Sequence, residues 1–402
     1  MSLIDATCPQ SAPAAARDLL AEVAIVGIGE TEVGRLPGHG PVQLQAMAAA
    51  AAARDAGIPL HDIDGVVNQD PYSEPYTMFA LALSEYLGLR PSFCTSMNVG
   101  GTVTVQAMLM QAGFAIASGQ CRSCLVVQGE NMATSRPPGS QGHVLHTRQG
   151  GDDFKEPFGV QGALIPYAIL ANRYMHEFGA TEDDFGAVAV SARAHAMRNP
   201  NRQTRRAITI EDHRASPLVC APLRRLDCSL VSDGGGAFLL TTRTEAKRLG
   251  RPFVTIESFA MKATHCSIVD APDFAEMGAA DAASRSLEQA GIGIDALDLI
   301  VMHDAFTFSV LMQLDALGLC APGTAAELFR DGTFGPGGRL PLNPHGGLLA
   351  QAHFGGILHG VEAVRQLRGS AGDRQVPDAR RAMWFGNGGV LSVFGSMIFS
   401  RG

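Results

Sequence analysis

Two successive runs of strand-like and helix-like segments, the second built on the plan of the first, constrain this 402-residue chain more than any other feature. "VAIVGIG" (23–29) is a short apolar run ending in glycine, which predicts a buried strand and then a turn. "PVQLQAMAAAAAARDAGI" (41–58) has helix-forming composition and a glycine stop after Ala56. Strand character resumes at "IDGVVNQ"; "TVTVQAMLMQAGFAIASG" (102–119) then predicts an apolar helix, and "CLVVQGEN" another strand. "PFVTIESFAM" (252–261), "DAASRSLEQAGI" (281–292) and "LDLIVMHDAF" (297–306) repeat strand, helix and strand. "SDGGGAFLLTT" (232–242) echoes "FGNGGVLSVFGSMIFS" (385–400), and "NVGG" (98–101) echoes "NPHGG" (343–347). Alternation of this kind predicts an α/β architecture, and the echoes predict internal duplication with a site at the seam. Residues 130–225 have no counterpart and read as an insertion with its own helices, such as "LIPYAILANRYMHEFG". The expected organisation is a tail (1–21), a first half (22–250) holding the insertion, and a second half (251–402).

Composition narrows the function classes. A net charge of -8 leaves no overall footprint for nucleic acid. No apolar run reaches the roughly 18 residues that span a bilayer, so no membrane insertion is expected. The N-terminal "MSLIDATCPQSAPAAARDLL" lacks the basic and apolar regions of a secretory signal and reads as a loose tail. Eight scattered cysteines make no disulfide framework, so the expected setting is reducing and cytoplasmic. Cys121 and Cys124 form "CRSC", but no second such pair follows, and the "HVLH" pair His143 and His146 is tighter than usual zinc spacing. These cysteines are expected to be structural, and no metal is expected.

Six segments in order resemble the thiolase superfamily over about residues 22–402, in the branch similar to sterol-carrier-protein thiolases and steroid side-chain aldolases. They are "VAIVGIGETEVGR", "PYAILANRYMHEFGAT", "RRAITIEDHRASPLVCAPLRRLDCSLVSDGGGAFLL", "HDAFTFSVLMQLDALGLC", "NPHGGLLAQAHFGG" and "FGNGGVLS". The resemblance implies the thiolase fold: two duplicated α/β halves in a five-layer αβαβα arrangement, with an inserted loop domain. It also implies four reaction loops. His303 in "HDAF" matches the second loop and His353 in "QAHFGG" the third. Thr102 falls where the first loop carries a nucleophilic cysteine, and Gly386 of "GNGG" where the fourth carries another. Both cysteines are thus missing. Thr102 reads either as a helix cap or as a weak nucleophile that an adjacent base would have to activate.

The candidate catalytic set is therefore His303, His353 and Thr102. Asn343, Asp304, Gly388 and Gly389 are candidate substrate contacts, although Asn343 also suits an anchor for its turn. His345 and His359 are weaker candidates, and His359 is expected on the following helix. Arg193, Arg198, Arg202, Arg205 and Arg206 form the one basic cluster. Of these, Arg202, Arg205 and Arg206 are candidates for the phosphates of coenzyme A, against a plain solvated patch. With the thiols gone and the histidines kept, the resemblance implies retro-aldol cleavage of a 3-hydroxyacyl-CoA without an acyl-enzyme. A thiolase-type acyltransferase using Thr102 or a borrowed cysteine, and a non-catalytic acyl-CoA-binding scaffold, are the alternatives. Coenzyme A enters as part of the substrate, with no permanently bound cofactor. The resemblance further implies a homodimer and a small OB-fold partner.

Overall fold

The computed structural model describes residues 20–135 and 150–402. The N-terminal tail, apart from its last two residues, and the His143–His146 pair lie outside the described residues. The strands are β1 (Val23–Glu30), β2 (Gly65–Asn68), β3 (Phe93–Ser96), β4 (Ser123–Asn131), β5 (Leu218–Cys220), β6 (Leu223–Arg224), β7 (Asp233–Thr242), β8 (Val254–Ala263), β9 (Leu299–Met302), β10 (Arg381–Gly388) and β11 (Val393–Arg401). The helices of ten residues or more are α1 (Pro41–Ala56), α2 (Val103–Ala117), α3 (Leu164–Phe178), α4 (Glu182–Ala196), α5 (Ala279–Ala290), α6 (Thr307–Ala316) and α7 (Ile357–Leu367).

The duplication is explicit in the pairing. Nine strands run β3-β2-β4-β7-β1-β8-β11-β10-β9. In the first half β2 is parallel to β4, while β7 is antiparallel to both β4 and β1. In the second, β9 is parallel to β10, while β11 is antiparallel to both β10 and β8. The halves join through one pairing, Ile25 with Val254. β3 adds an outer edge to the first half only.

Helices α2 and α7 pack against strands of both halves, α1 covers the outer face of the first and α5 that of the second. That makes five layers. The sequence explains the placement of α2, "VTVQAMLMQAGFAIA", which is apolar on every face as a central helix must be. Its buried Gln106 donates from Nε2 to Trp384 O at 2.7 Å, tying it to β10. The alanine-rich α1 approaches β1 where Gly27 stands; a Cβ there would lie 2.3 Å from Ala52 O. Cys121 and Cys124 are free, buried thiols packed on Gly65.

One echo shifts. The glycine pairs that open the central helices are Gly100–Gly101 and Gly355–Gly356, whereas Gly346–Gly347 opens a single helical turn, Gly347–Ala350. The second half thus carries a detour between "NPHGG" and its central helix, and His353 rides on it. Between β4 and β7, helices α3 and α4 join the second half in one core, where Tyr167, Tyr174 and Phe185 meet Phe306 and Phe308. Among the described residues no helix is long and apolar enough to cross a membrane. Among them also, no group of three His, Cys, Asp or Glu side chains is placed to hold a metal ion.

Candidate active site

The N-termini of the two central helices meet. Gly356 lies so close to Thr102 that a Cβ on it would fall 2.0 Å from Thr102 Oγ1. Gly386, across from them on β10, would bring a Cβ to 3.0 Å from Thr102 Cγ2. The expected capping role of Thr102 does not hold: it has helical φ and ψ and its side chain makes no cap hydrogen bond. Thr104, in the first turn, pins the preceding loop instead, its Oγ1 accepting the N–H groups of Val99 at 3.0 Å and Gly100 at 2.9 Å. Thr102 Oγ1 instead lies 2.6 Å from His303 Nδ1.

His303 follows β9, and its N–H donates to Phe385 O at 2.9 Å, so the main chain is fixed from β10. The ring is buried. Burial, with His353 and His359 adding to it, holds its pKa well below the usual imidazole value, so the ring is neutral. His353 is only partly buried. Its Nδ1 lies 2.8 Å from Ser229 Oγ, and its N–H donates to Ser232 Oγ at 2.9 Å. The structure therefore brings Thr102, His303 and His353, distant in sequence, to one seam.

The other candidates are supports. Asp304 Oδ1 accepts Leu348 N–H at 2.8 Å and faces His359 Nε2 at 3.0 Å; Oδ2 accepts Leu349 N–H at 3.3 Å. The carboxylate is 1% exposed, so the substrate contact expected of Asp304 is replaced by anchoring of the turn before His353. Asn343 clamps β9: Oδ1 accepts Met302 N–H at 2.7 Å and Nδ2 donates to Met302 O at 2.9 Å. It too is an anchor rather than a ligand contact. Gly388 packs on Gly100, where a Cβ would meet Gly100 O at 2.2 Å, and Gly389 makes the turn into β11 at φ 63°. His359 is on α7 as expected, and His345 stands edge-on to it at 4.9 Å.

The arginines have partners of their own. Arg202 donates to Asn199 O at 2.6 Å and lines a cleft of about 570 Å³ with Arg198, Arg365 and Arg374. Arg206 is paired with Asp212 at 3.2 Å, Arg193 donates to Arg206 O at 3.1 Å, and Arg205 is exposed. None of the three is among the hydrogen-bond partners of His303, which are Thr102, Phe385 and Gln313.

Sequence reasoning missed several neighbours. Asn387 is the single amide in the mostly apolar "WFGNGGVLSVF", a signal that was available. Its main-chain oxygen accepts Thr102 N–H at 3.1 Å. Tyr167, from the insertion, donates to Gly389 O at 3.0 Å and stacks on Phe306 at 4.4 Å. Cys228 precedes Ser229, but burial first, then Asp227 and Cys220, pushes its thiol up to about 12. Its Sγ faces Arg224 O at 3.5 Å. Such a thiol is not an activated nucleophile.

A duplicated α/β fold with paired imidazoles at its seam defines a thiolase-like class, and comparison with known proteins agrees. A family model described as thiolase C-terminal domain-like matches residues 260–401. The chain is 34% identical over 367 residues to a steroid side-chain-cleaving aldolase of Thermomonospora curvata, covering 87% of this chain and 90% of that one. It is 33% identical over 363 residues to a 17-hydroxy-3-oxo-4-pregnene-20-carboxyl-CoA lyase of Mycobacterium tuberculosis, covering 88% and 93%. A solved structure described as an Ltp2-ChsH2(DUF35) aldolase superposes with a TM-score of 0.83 at 31% identity, covering 95% and 98%. The chain belongs to the thiolase superfamily, in the branch that holds the steroid side-chain aldolases.

Proposed function

We propose that this protein is a lyase that splits the Cα–Cβ bond of a 3-hydroxyacyl-CoA by a retro-aldol reaction, with no acyl-enzyme. The observation that carries it is the 2.6 Å Thr102–His303 contact, which couples the hydroxyl to a buried neutral imidazole beside His353. His353, partly exposed, takes the proton of the substrate's 3-hydroxyl. The Cα–Cβ bond breaks, its electron pair passes into the thioester as an enolate, and a ketone or aldehyde leaves. His303, neutral and holding its remaining proton on Nε2, donates a hydrogen bond to the thioester oxygen as charge develops there. The proton on His353 then returns to Cα, giving the shorter acyl-CoA. Relatives named as a steroid side-chain-cleaving aldolase and a carboxyl-CoA lyase support this reading and favour a steroid acyl group. The raised pKa of Cys228 speaks against a borrowed thiol.

The same reading extends to the assembly. β3 is an edge strand, and Tyr76, Met78, Leu81, Tyr86 and Val99 are exposed large apolar residues on the segments around it, which supports a homodimer formed along this edge. The DUF35 component of the related aldolase supports a small OB-fold partner here. Of Arg202, Arg205 and Arg206, the last is paired with Asp212, so Arg202 and Arg205 are the proposed contacts to the phosphates of coenzyme A, and residues 22–250 and 251–402 the two halves.

The test is incubation with a panel of 3-hydroxyacyl-CoA thioesters, including a 17-hydroxy-steroid-20-carboxyl-CoA, with product analysis by mass spectrometry. The expected result is a carbonyl product plus a shorter acyl-CoA, formed without added coenzyme A. Turnover that demands free coenzyme A and leaves an acyl group on Thr102 would return the protein to thiolase chemistry. A His303→Ala, His353→Ala double variant that binds acyl-CoA as before, with neither protein turning it over, would make it a scaffold.

A further inference from the structure

The hydrogen bonds around His303 close on themselves. Asn387 Nδ2 donates to Gln313 Oε1 at 3.1 Å, and Gln313 Nε2 donates to His303 O at 2.9 Å. His303 Nδ1 meets Thr102 Oγ1 at 2.6 Å, and Thr102 N–H returns to Asn387 O at 3.1 Å. Every member of this ring is buried. Outside it, the Tyr167 hydroxyl lies 3.3 Å from Asn387 Oδ1 and 3.0 Å from Gly389 O.

We infer that Asn387, steadied by Tyr167, is a positioning residue that sets which nitrogen of His303 carries the proton. The reasoning is directional. Gln313 Nε2 already donates to two carbonyls, His303 O and Ser309 O at 2.8 Å, so its Oε1 must accept. Asn387 therefore turns its amide NH₂ toward Gln313, which leaves its Oδ1 3.3 Å from the Tyr167 hydroxyl, whose single proton is shared between that oxygen and Gly389 O. A flipped amide would set two carbonyl oxygens against each other in a buried site, which costs the full desolvation of both. With Asn387 fixed, its main-chain oxygen holds Thr102 N–H. The close approach of the two backbones depends on glycine at position 101, where a Cβ would lie 2.3 Å from Asn387 O. Thr102 Oγ1 is thereby held against Nδ1; the contact admits either donor, and we assign that role to the hydroxyl, which leaves Nε2 to carry the ring proton toward the seam. A neutral imidazole that accepts at Nδ1 carries its hydrogen at Nε2. That is the tautomer able to donate to a thioester oxygen. The kinetic part of the inference rests on the proposed lyase reaction; the tautomer does not. Tyr167 reaches this ring from α3, so the insertion helps to define the chemistry at the seam.

The test has two arms. In protein labelled with ¹⁵N-histidine, the His303 resonances are identified by their loss in His303→Gln. Wild type should show a single Nε2–H tautomer, and Asn387→Ala a mixture of both. Tyr167→Phe keeps the stacking ring and removes only the hydroxyl, so it carries the test should Asn387→Ala not fold; a smaller shift in the same direction is expected from it. In the kinetic arm, kcat should fall about 100-fold in Asn387→Ala, the order found when an oxyanion donor is lost, with KM changing much less. Unchanged His303 resonances in both folded variants would overturn the inference, as would a loss of kcat with the tautomer intact. A fixed tautomer that responds to Asn387, in a protein with no lyase activity, would uphold it and sink the proposed reaction instead.

Discussion

Thr102 shows how one hydroxyl is assigned by its surroundings. A free threonine is a poor nucleophile, and a nearby imidazole would ordinarily be read as its activating base. Here that imidazole is buried and held neutral, and the hydroxyl lies 2.6 Å from it, so the pair serves better to orient the ring than to attack a carbonyl. Thr102→Val keeps the shape and removes the hydrogen bond. Under the lyase reading it should lower kcat about 10- to 100-fold, while Thr102→Ser stays within a few-fold of wild type, measured on the cleaved 3-hydroxyacyl-CoA. A threonine nucleophile would instead lose essentially all turnover as valine. The neighbouring thiol gives the complementary check. Cys228, pushed up to about 12 by burial, Asp227 and Cys220, holds almost no thiolate near neutrality. Cys228→Ala is expected to leave kcat within about twofold. A larger loss in a folded variant would revive the borrowed-cysteine alternative.

The approach of α2 and α7 is an element-scale constraint, enforced by the glycines at their starts. A methyl group on Gly356 would lie 2.0 Å from Thr102 Oγ1 and 2.7 Å from Thr102 Cα, so the backbone itself would have to move. Gly356→Ala should destabilise the protein by about 1–3 kcal/mol, the usual cost of overpacking, and lower kcat in the fraction that remains folded. Urea unfolding and steady-state rates measure the two effects; no change in either would mean that the helix ends are looser than described. The elements themselves were legible in the sequence because their signals are local. Glycine stops, the apolar run of α2 and the alternation of strand and helix each depend on neighbours a few residues away. The site was legible only where a resemblance supplied His303 and His353. Roles set by distant partners were not. Thr102 is a plausible cap by sequence, and only His303, 201 residues away, draws it out of that role. Asp304 looked like a ligand contact because its anchors, Leu348 and Leu349, lie more than 40 residues downstream.

Across the whole molecule, the buried histidines tie stability to pH. His195, whose Nε2 lies 2.8 Å from Phe334 O, is lowered to about 4, chiefly by burial. His303 and His345 are also held well below the usual imidazole value, again mainly by burial. In the unfolded chain each takes up a proton near pH 6.5. Between that pH and the folded value, the unfolded state binds more protons, so stability falls as the medium is acidified. For His195 alone, the interval from 6.5 to about 4 corresponds to about 3 kcal/mol. Glu130 opposes this. It is buried at the end of β4, and burial raises its pKa to about 6, so between the carboxylate's ordinary range and pH 6 it is the folded state that holds the extra proton. Its contribution therefore grows on acidification, by about 2 kcal/mol at most. Burial also lowers His265 and raises Asp315, so four histidines stand against two carboxylates, and the balance is a net loss. The urea midpoint should fall between pH 7 and pH 5, less steeply in His195→Gln and more steeply in Glu130→Gln. A midpoint that holds level or rises over this range would mean that these imidazoles are reached by water or already charged in the folded protein. The neutral His303 on which the proposed chemistry depends would then be lost with them.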